Sequence, residues 1–186
     1  MFRLCSILRI VITAVFFLGG LLAGQGVAGQ GPAEVAGAAA KGVRFQDESA
    51  RLGLKLNNSA ATWADFNNDG WMDLYAGGAV WMNKKGLRFT KKNVKVKGSA
   101  VAADFDNDGF VDLFSAGQRK LFRNIDGTGF ERVELPRLPD SVSRAACWAD
   151  MDNNGWVDLY IGGYENWKKA ITYPDMVLLN KAGGEF

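Results

Sequence analysis

Asp104-Phe105-Asp106-Asn107-Asp108-Gly109-Phe110-Val111-Asp112-Leu113-Phe114 places four carboxylates at positions 1, 3, 5 and 9 of a nine-residue window, with a glycine at position 6. The pattern occurs twice more without a gap. Asp65-Phe66-Asn67-Asn68-Asp69-Gly70-Trp71-Met72-Asp73 lies 39 residues earlier, and Asp150-Met151-Asp152-Asn153-Asn154-Gly155-Trp156-Val157-Asp158 lies 46 residues later. A second element follows each window in the same order. It reads Trp81-Met82-Asn83 with Gly86 and Phe89, Leu121-Phe122-Arg123-Asn124 with Gly127 and Phe130, and Leu178-Leu179-Asn180 with Gly183 and Phe186. Two landmarks in fixed order define a repeated unit of about 40–55 residues.

The segments around each window carry strand signals and no helical period. In the first unit Ala60–Trp63 reads as a strand, Asp73-Leu74-Tyr75 begins a second, and Gly77-Gly78 is a turn. Ala79–Met82 reads as a third strand, Asn83–Gly86 as a hairpin turn and Leu87–Thr90 as a fourth. Four short antiparallel strands repeating at this length predict propeller blades. The expected fold is all-β, a partial β-propeller of about three four-stranded blades over 43–92, 93–133 and 134–186. Closure takes 4–8 blades, so the remaining blades are expected in sequence beyond this chain.

Ten of the 20 acidic residues fall in the three windows. Like charges this close repel, and a hard divalent cation relieves the repulsion by accepting six to eight oxygens. The candidate ligands are Asp65, Asn67, Asp69 and Asp73; Asp104, Asp106, Asp108 and Asp112; and Asp150, Asp152, Asn154 and Asp158. Trp71, Phe110 and Trp156, at position 7, would each offer a backbone carbonyl. With no thiolate or imidazole in the windows, the expected ion is Ca2+, at about three sites. The second window, with four Asp, is expected to bind tightest. An EF-hand would need Glu at position 12 and flanking helices, but Ala76, Ser115 and Ile161 stand there.

The window Asp-Phe-Asn-Asn-Asp-Gly-Trp-Met-Asp-Leu-Tyr at 65–75, followed by Trp81-Met82-Asn83, Gly86 and Phe89, resembles the FG-GAP/VCBS repeats. These occur in the integrin α-chain propeller and in many bacterial secreted proteins. The resemblance covers about residues 43–186. It implies a propeller, usually of about seven blades, with calcium in the inter-strand loops at 65–73, 104–112 and 150–158.

Arg3 and Arg9 precede an almost wholly apolar run from Ile10 to Ala23, and small residues follow at Val27-Ala28-Gly29. This pattern predicts a secretory signal peptide over 1–29. The alternative is an uncleaved anchor, because the uncharged stretch Ile10–Ala33 is long enough to cross a bilayer. Residues 30–42 read as a linker. Beyond the leader, 20 basic side chains balance 20 acidic ones, which speaks against a nucleic-acid partner; a membrane partner follows only from an uncleaved leader. The absence of His removes His-based triads and His-ligated zinc. Cys147 is left alone after processing and is expected to be a buried thiol beside Trp148.

The expected function is a secreted, periplasmic or cell-surface calcium-binding module in adhesion or scaffolding, with a protein or polysaccharide ligand. The alternative is the N-terminal part of a secreted hydrolase or lyase whose active site lies elsewhere in a longer sequence. Trp63, Trp71, Trp148, Trp156, Tyr75 and Tyr160 recur at repeat positions and are expected to pack between blades. Trp167, in the insert Tyr164–Lys169, has no counterpart and is the better ligand contact. The basic run Lys84–Lys97 is expected to be a solvated hairpin and edge.

Overall fold

A computed structural model describes residues 44–56, 60–140 and 142–186. The leader and linker (1–42) lie outside the described residues. Among the described residues every regular element is a strand. The first sheet runs β1 (Ala61–Ala64), β2 (Asp73–Ala76), β3 (Ala79–Asn83) and β4 (Phe89–Asn93), in sequential antiparallel order. The second repeats it with β5 (Ala100–Ala103), β6 (Asp112–Ser115), β7 (Lys120–Ile125) and β8 (Gly129–Val133). These are blade-like four-stranded meanders, and their first strands β1 and β5 lie side by side, as do β5 and β9.

The third sheet departs from the expected four strands. It holds β9 (Ser143–Ala149), β10 (Asp158–Gly163) and β13 (Met176–Leu178), in the order β13-β10-β9. The insert after β10 folds into its own two-stranded hairpin, β11 (Glu165–Asn166) and β12 (Ile171–Thr172). A register shift at Gly162/Gly163 marks where it leaves the sheet. The turn after β13 still forms, with Lys181 N–H bonded to Glu185 O at 2.8 Å, matching Lys84 N–H to Arg88 O at 2.8 Å. Phe186 thus stands where Phe89 opens β4 in the first blade.

Stacking explains the burial pattern. A strand covered on both faces loses the usual alternation of buried and exposed residues. β2 and β6 are buried at every residue. One core joins blades one and two through Phe66, Tyr75 and Val80 against Leu113 and Phe122. Another joins blades two and three through Phe105, Phe114 and Leu121 against Leu159 and Ile161. Each fully buried Phe or Leu contributes roughly 1.5–3 kcal/mol. A third cluster, Leu74, Ala76, Ala79 and Trp81, closes the outer face of blade one under Leu54. The turn carrying Leu54 is tied to the sheet by Phe89 N–H to Leu52 O at 2.8 Å.

Several expectations about single residues change. Trp148 packs between blades as expected, edge-on to Phe114, with its indole N–H 3.5 Å from Val101 O. Tyr75 is fully buried, but Trp63, Trp71 and Tyr160 are substantially exposed. Cys147 is exposed rather than buried. It pairs with Tyr160 across β9–β10 on a face that no further blade covers among the described residues. In the basic run, Lys92 ties blades one and two by donating to Thr128 O at 2.6 Å, and Lys91 lies over the Trp81 ring.

Gly127 marks the closest approach of two blades. Its φ is +70°, and a Cβ there would lie 2.9 Å from Asn67 Cα. Gly98 has nearly the same φ, +71°, with open space around it. Gly98→Ala is expected to cost the backbone strain alone, roughly 1–2 kcal/mol. Gly127→Ala is expected to cost at least 1 kcal/mol more, because blade two must shift off loop one. Urea unfolding of the two variants measures the difference.

Candidate metal centre

The three acidic windows connect the first and second strands of their blades, β1 to β2, β5 to β6 and β9 to β10. Each loop folds on itself by the same bonds. The position-1 carboxylate accepts two backbone N–H groups: Asp65 from Asp69 (3.1 Å) and Gly70 (2.7 Å). Asp104 accepts from Asp108 (3.1 Å) and Gly109 (2.9 Å), and Asp150 from Asn154 (3.1 Å) and Gly155 (3.0 Å). The position-5 side chain accepts the position-7 N–H, from Trp71 (3.0 Å), Phe110 (2.8 Å) and Trp156 (2.8 Å). Gly70, Gly109 and Gly155 all have φ near +90°, a conformation costly for any residue with a Cβ. Position 4 is also left-handed, at Asn68, Asn107 and Asn153, as suits Asn.

The position-9 carboxylates behave differently. Asp73, Asp112 and Asp158 begin the second strands and are buried. Each bridges two backbone N–H groups. Asp73 takes Phe66 (3.2 Å) and Asn83 (2.7 Å), Asp112 takes Phe105 (3.1 Å) and Asn124 (2.7 Å), and Asp158 takes Met151 (2.9 Å) and Asn180 (2.8 Å). Each therefore ties the start of its loop to the end of the third strand. Burial raises the Asp112 carboxyl to about 7; the two N–H bonds oppose the rise, and Asp106 and Asp108 add to it. Burial likewise raises Asp73 and Asp104 above the usual carboxylate range.

Asparagines supply bonds that the spacing did not reveal. Asn83, Asn124 and Asn180 stand within two residues of the ends of β3, β7 and β13, and each donates to the position-8 carbonyl of its own loop: Met72 (3.0 Å), Val111 (3.1 Å) and Val157 (3.2 Å). Asn124 also donates to Phe66 O in the preceding blade at 2.8 Å, and Asn180 to Phe105 O at 2.8 Å. In return Asn68 donates to Gly109 O (2.9 Å) and Asn107 to Gly155 O (3.1 Å) in the following blade. Two reciprocal amide bonds thus join each pair of neighbouring loops. Asn recurs at both positions in all three copies, but its partners lie 41 to 75 residues away, beyond what local spacing can show.

The structure brings together oxygens of Asp104, Asp106 and Asp108, all within 4.8 Å of one another, and likewise those of Asp150, Asp152 and Asp158. In the first loop no three carboxylates converge this closely; Asn67 stands at position 3 and bonds Asp69. Asp106 is the informative member. Its side chain is 8% exposed, yet Oδ1 has no hydrogen-bond partner among the described residues. A buried carboxylate oxygen with no hydrogen bond, beside two further carboxylates, fits a bound cation, because that oxygen is desolvated with no donor facing it. Arg123 stands against the other oxygen of Asp106 as a close ion pair, but its Nε is not aligned for a hydrogen bond. Its counterparts Met82 and Leu179 are uncharged. Arg123 therefore offsets one of the four negative charges of the second loop.

The sheets, the loops between their first and second strands and the repeated asparagine bonds define a propeller-type repeat module. Residues 104–161 match the family model of the FG-GAP-like repeat, so the stretch from the second acidic loop through the third is FG-GAP-like repeat sequence. No curated protein matches the chain.

Proposed function

We propose that the chain is a calcium-stabilised propeller-type binding module that works outside the cytoplasm. The observation that carries the reading is the buried Asp106 Oδ1, which has no hydrogen bond, within the Asp104–Asp106–Asp108 cluster. Asp104, Asp106 and Asp108 would hold one ion, and Asp150, Asp152 and Asp158 a second. Asp65, Asn67, Asp69 and Asp73 would hold a third, weaker one. Asn154 completes the third loop, and the carbonyls of Trp71, Phe110 and Trp156 supply further oxygens. The position-9 residue Asp112 serves first as a strut between strands. The ion's role is structural: binding to the folded loops alone turns binding free energy into folding free energy.

The basic start and apolar run of residues 1–29 support export, and millimolar extracellular calcium suits sites with Kd of ~10⁻⁴–10⁻³ M. For ligand contact the strongest candidate is the β11–β12 hairpin, where Trp167 is exposed beside Lys168 and Lys169. An exposed indole next to cations suits a protein or an acidic polysaccharide surface.

Melting in millimolar Ca2+ against EGTA tests the metal. At millimolar Ca2+, two sites with Kd near ~10⁻⁴ M and a weaker third near ~10⁻³ M together contribute about 3 kcal/mol, an upward shift of roughly 8 °C for a domain of this size. Mg2+ is expected to give much less. Equal melting temperatures in Ca2+ and EGTA would overturn the reading.

A further inference from the structure

We propose that the hollow between the β6–β7 turn and the β8–β9 connection is an anion subsite that takes the carboxylate or sulfate groups of an acidic polysaccharide. The proposal rests on the binding-module reading and deepens it, naming the charge of the ligand and a contact besides Trp167.

The hollow holds about 360 Å³, and Arg119, Lys120, Arg132 and Arg137 line it against the single carboxylate of Glu134. Four cations and one carboxylate leave three net positive charges in one concavity. Beyond the leader, by contrast, 20 basic side chains balance 20 acidic ones. A concave surface of one sign focuses its field on ions of the other. Glu134 bonds Arg132 at 2.9 Å, but both side chains are exposed, so the pair opens at little cost. Lys120 and Arg137 form no ion pair among the described residues. Successive turns of an antiparallel meander alternate between the two ends of the sheet. The β6–β7 turn and the β8–β9 connection therefore lie at the end of blade two opposite the acidic β5–β6 loop.

Arg119 is held in place before any ligand arrives. It immediately precedes β7, as Gly78 immediately precedes β3. Both are left-handed, with φ of +55° and +79°. Glycine adopts that conformation freely, whereas arginine is strained in it by about 1–2 kcal/mol, and such strain gathers at ligand sites. Arg119 Nη2 donates to Pro139 O at 2.6 Å, and Lys97 N–H braces the turn by donating to Gln118 Oε1 at 2.6 Å. A guanidinium fixed in this way suits the paired oxygens of a carboxylate or sulfate. The ligand is a chain rather than a small free ion, because Arg132, Pro136 and Arg137 are exposed and so open a hollow would bury little of a small ion. The β11–β12 hairpin leaves β10 at the same end of blade three. There the exposed Trp167 indole offers a flat face to a sugar ring. The balanced charge of the chain disfavours a nucleic acid, which needs a broad basic surface.

Fluorescence anisotropy of labelled oligomers with the full chain, at low ionic strength, tests this. Oligogalacturonate carries carboxylates, dextran sulfate carries sulfates and dextran carries neither. At least one charged oligomer is expected to bind at least ~10-fold more tightly than dextran, and the one that binds assigns the group. Lys120→Gln combined with Arg137→Gln is expected to weaken that binding at least ~10-fold with melting unchanged. Arg119→Gly, which suits the left-handed backbone, is expected to weaken it as much without lowering the melting temperature. The double variant decides the matter where Arg119→Gly destabilises the fold, because neither of its side chains is paired in the fold. Lys84→Gln with Lys85→Gln, at the opposite end of blade one, is expected to leave binding as it was. Equal binding of charged and neutral oligomers, or full binding by the folded double variant, would overturn the proposal. Equal affinity for inorganic sulfate would assign the hollow to a small free anion, and tighter binding of single-stranded DNA would assign it to a nucleic acid; either result also overturns it. Calcium-dependent melting is read separately, so failure of the anion subsite and failure of the calcium module are distinguishable.

Discussion

Asp112→Ala is expected to cost roughly 4 kcal/mol near pH 5, below the raised pKa of its carboxyl. The substitution leaves the N–H groups of Phe105 and Asn124, which Asp112 now bridges at 3.1 and 2.7 Å, without an acceptor in a buried place, at about 1–3 kcal/mol each. Urea denaturation reads this directly. The same residue sets a pH dependence. Its folded pKa of about 7 lies above the ordinary 3.8, so between these values the folded state binds more protons than the unfolded one. In EGTA the wild-type protein is therefore expected to be most stable near pH 4 and to lose up to about 4 kcal/mol as pH rises through 7. Asp112→Asn is expected to flatten that slope. In millimolar Ca2+ the slope is expected to flatten or reverse, because cations bound beside Asp112 favour its charged form. A wild-type slope that is flat in EGTA, or that rises with pH, would contradict the assignment.

The second large effect is expected at Asn124. This side chain is 1% exposed. It donates to Phe66 O and Val111 O and accepts from Gly127 N–H at 3.1 Å. Asn124→Ala removes all three bonds and is expected to cost roughly 3 kcal/mol. Asn83 is the internal comparison. It holds its own loop through Met72 O and Gly86 N–H but makes no bond to another blade. Asn83→Ala is expected to cost at least 1 kcal/mol less, and the difference isolates the bond across the seam. If the two variants unfold at the same urea concentration, the amide to Phe66 O does not couple the blades.

Much of the fold was legible because its signals are local. A strand announces itself by its residue types and a tight loop by its glycine, so the windows located the β1–β2, β5–β6 and β9–β10 turns. Boundaries moved by one to three residues: β1 ends at Ala64 rather than Trp63, and β4 begins at Phe89 rather than Leu87. Arg123 escaped notice because nothing in its neighbours along the chain says that it folds against Asp106, 17 positions earlier. Cys147 misled because an apolar run predicts burial only if a neighbour covers it, and the neighbour of β9 on that side is absent from the described residues.

The chain by itself determined the repeat, the all-β class and the placing of three oxygen-rich loops, since each depends on residues within about a dozen positions of one another. Only the folded arrangement decided which carboxylates gather and which act as struts, and which amides cross from one blade to the next. Those outcomes depend on burial and on partners up to 75 residues apart, and both exist only once the blades have stacked.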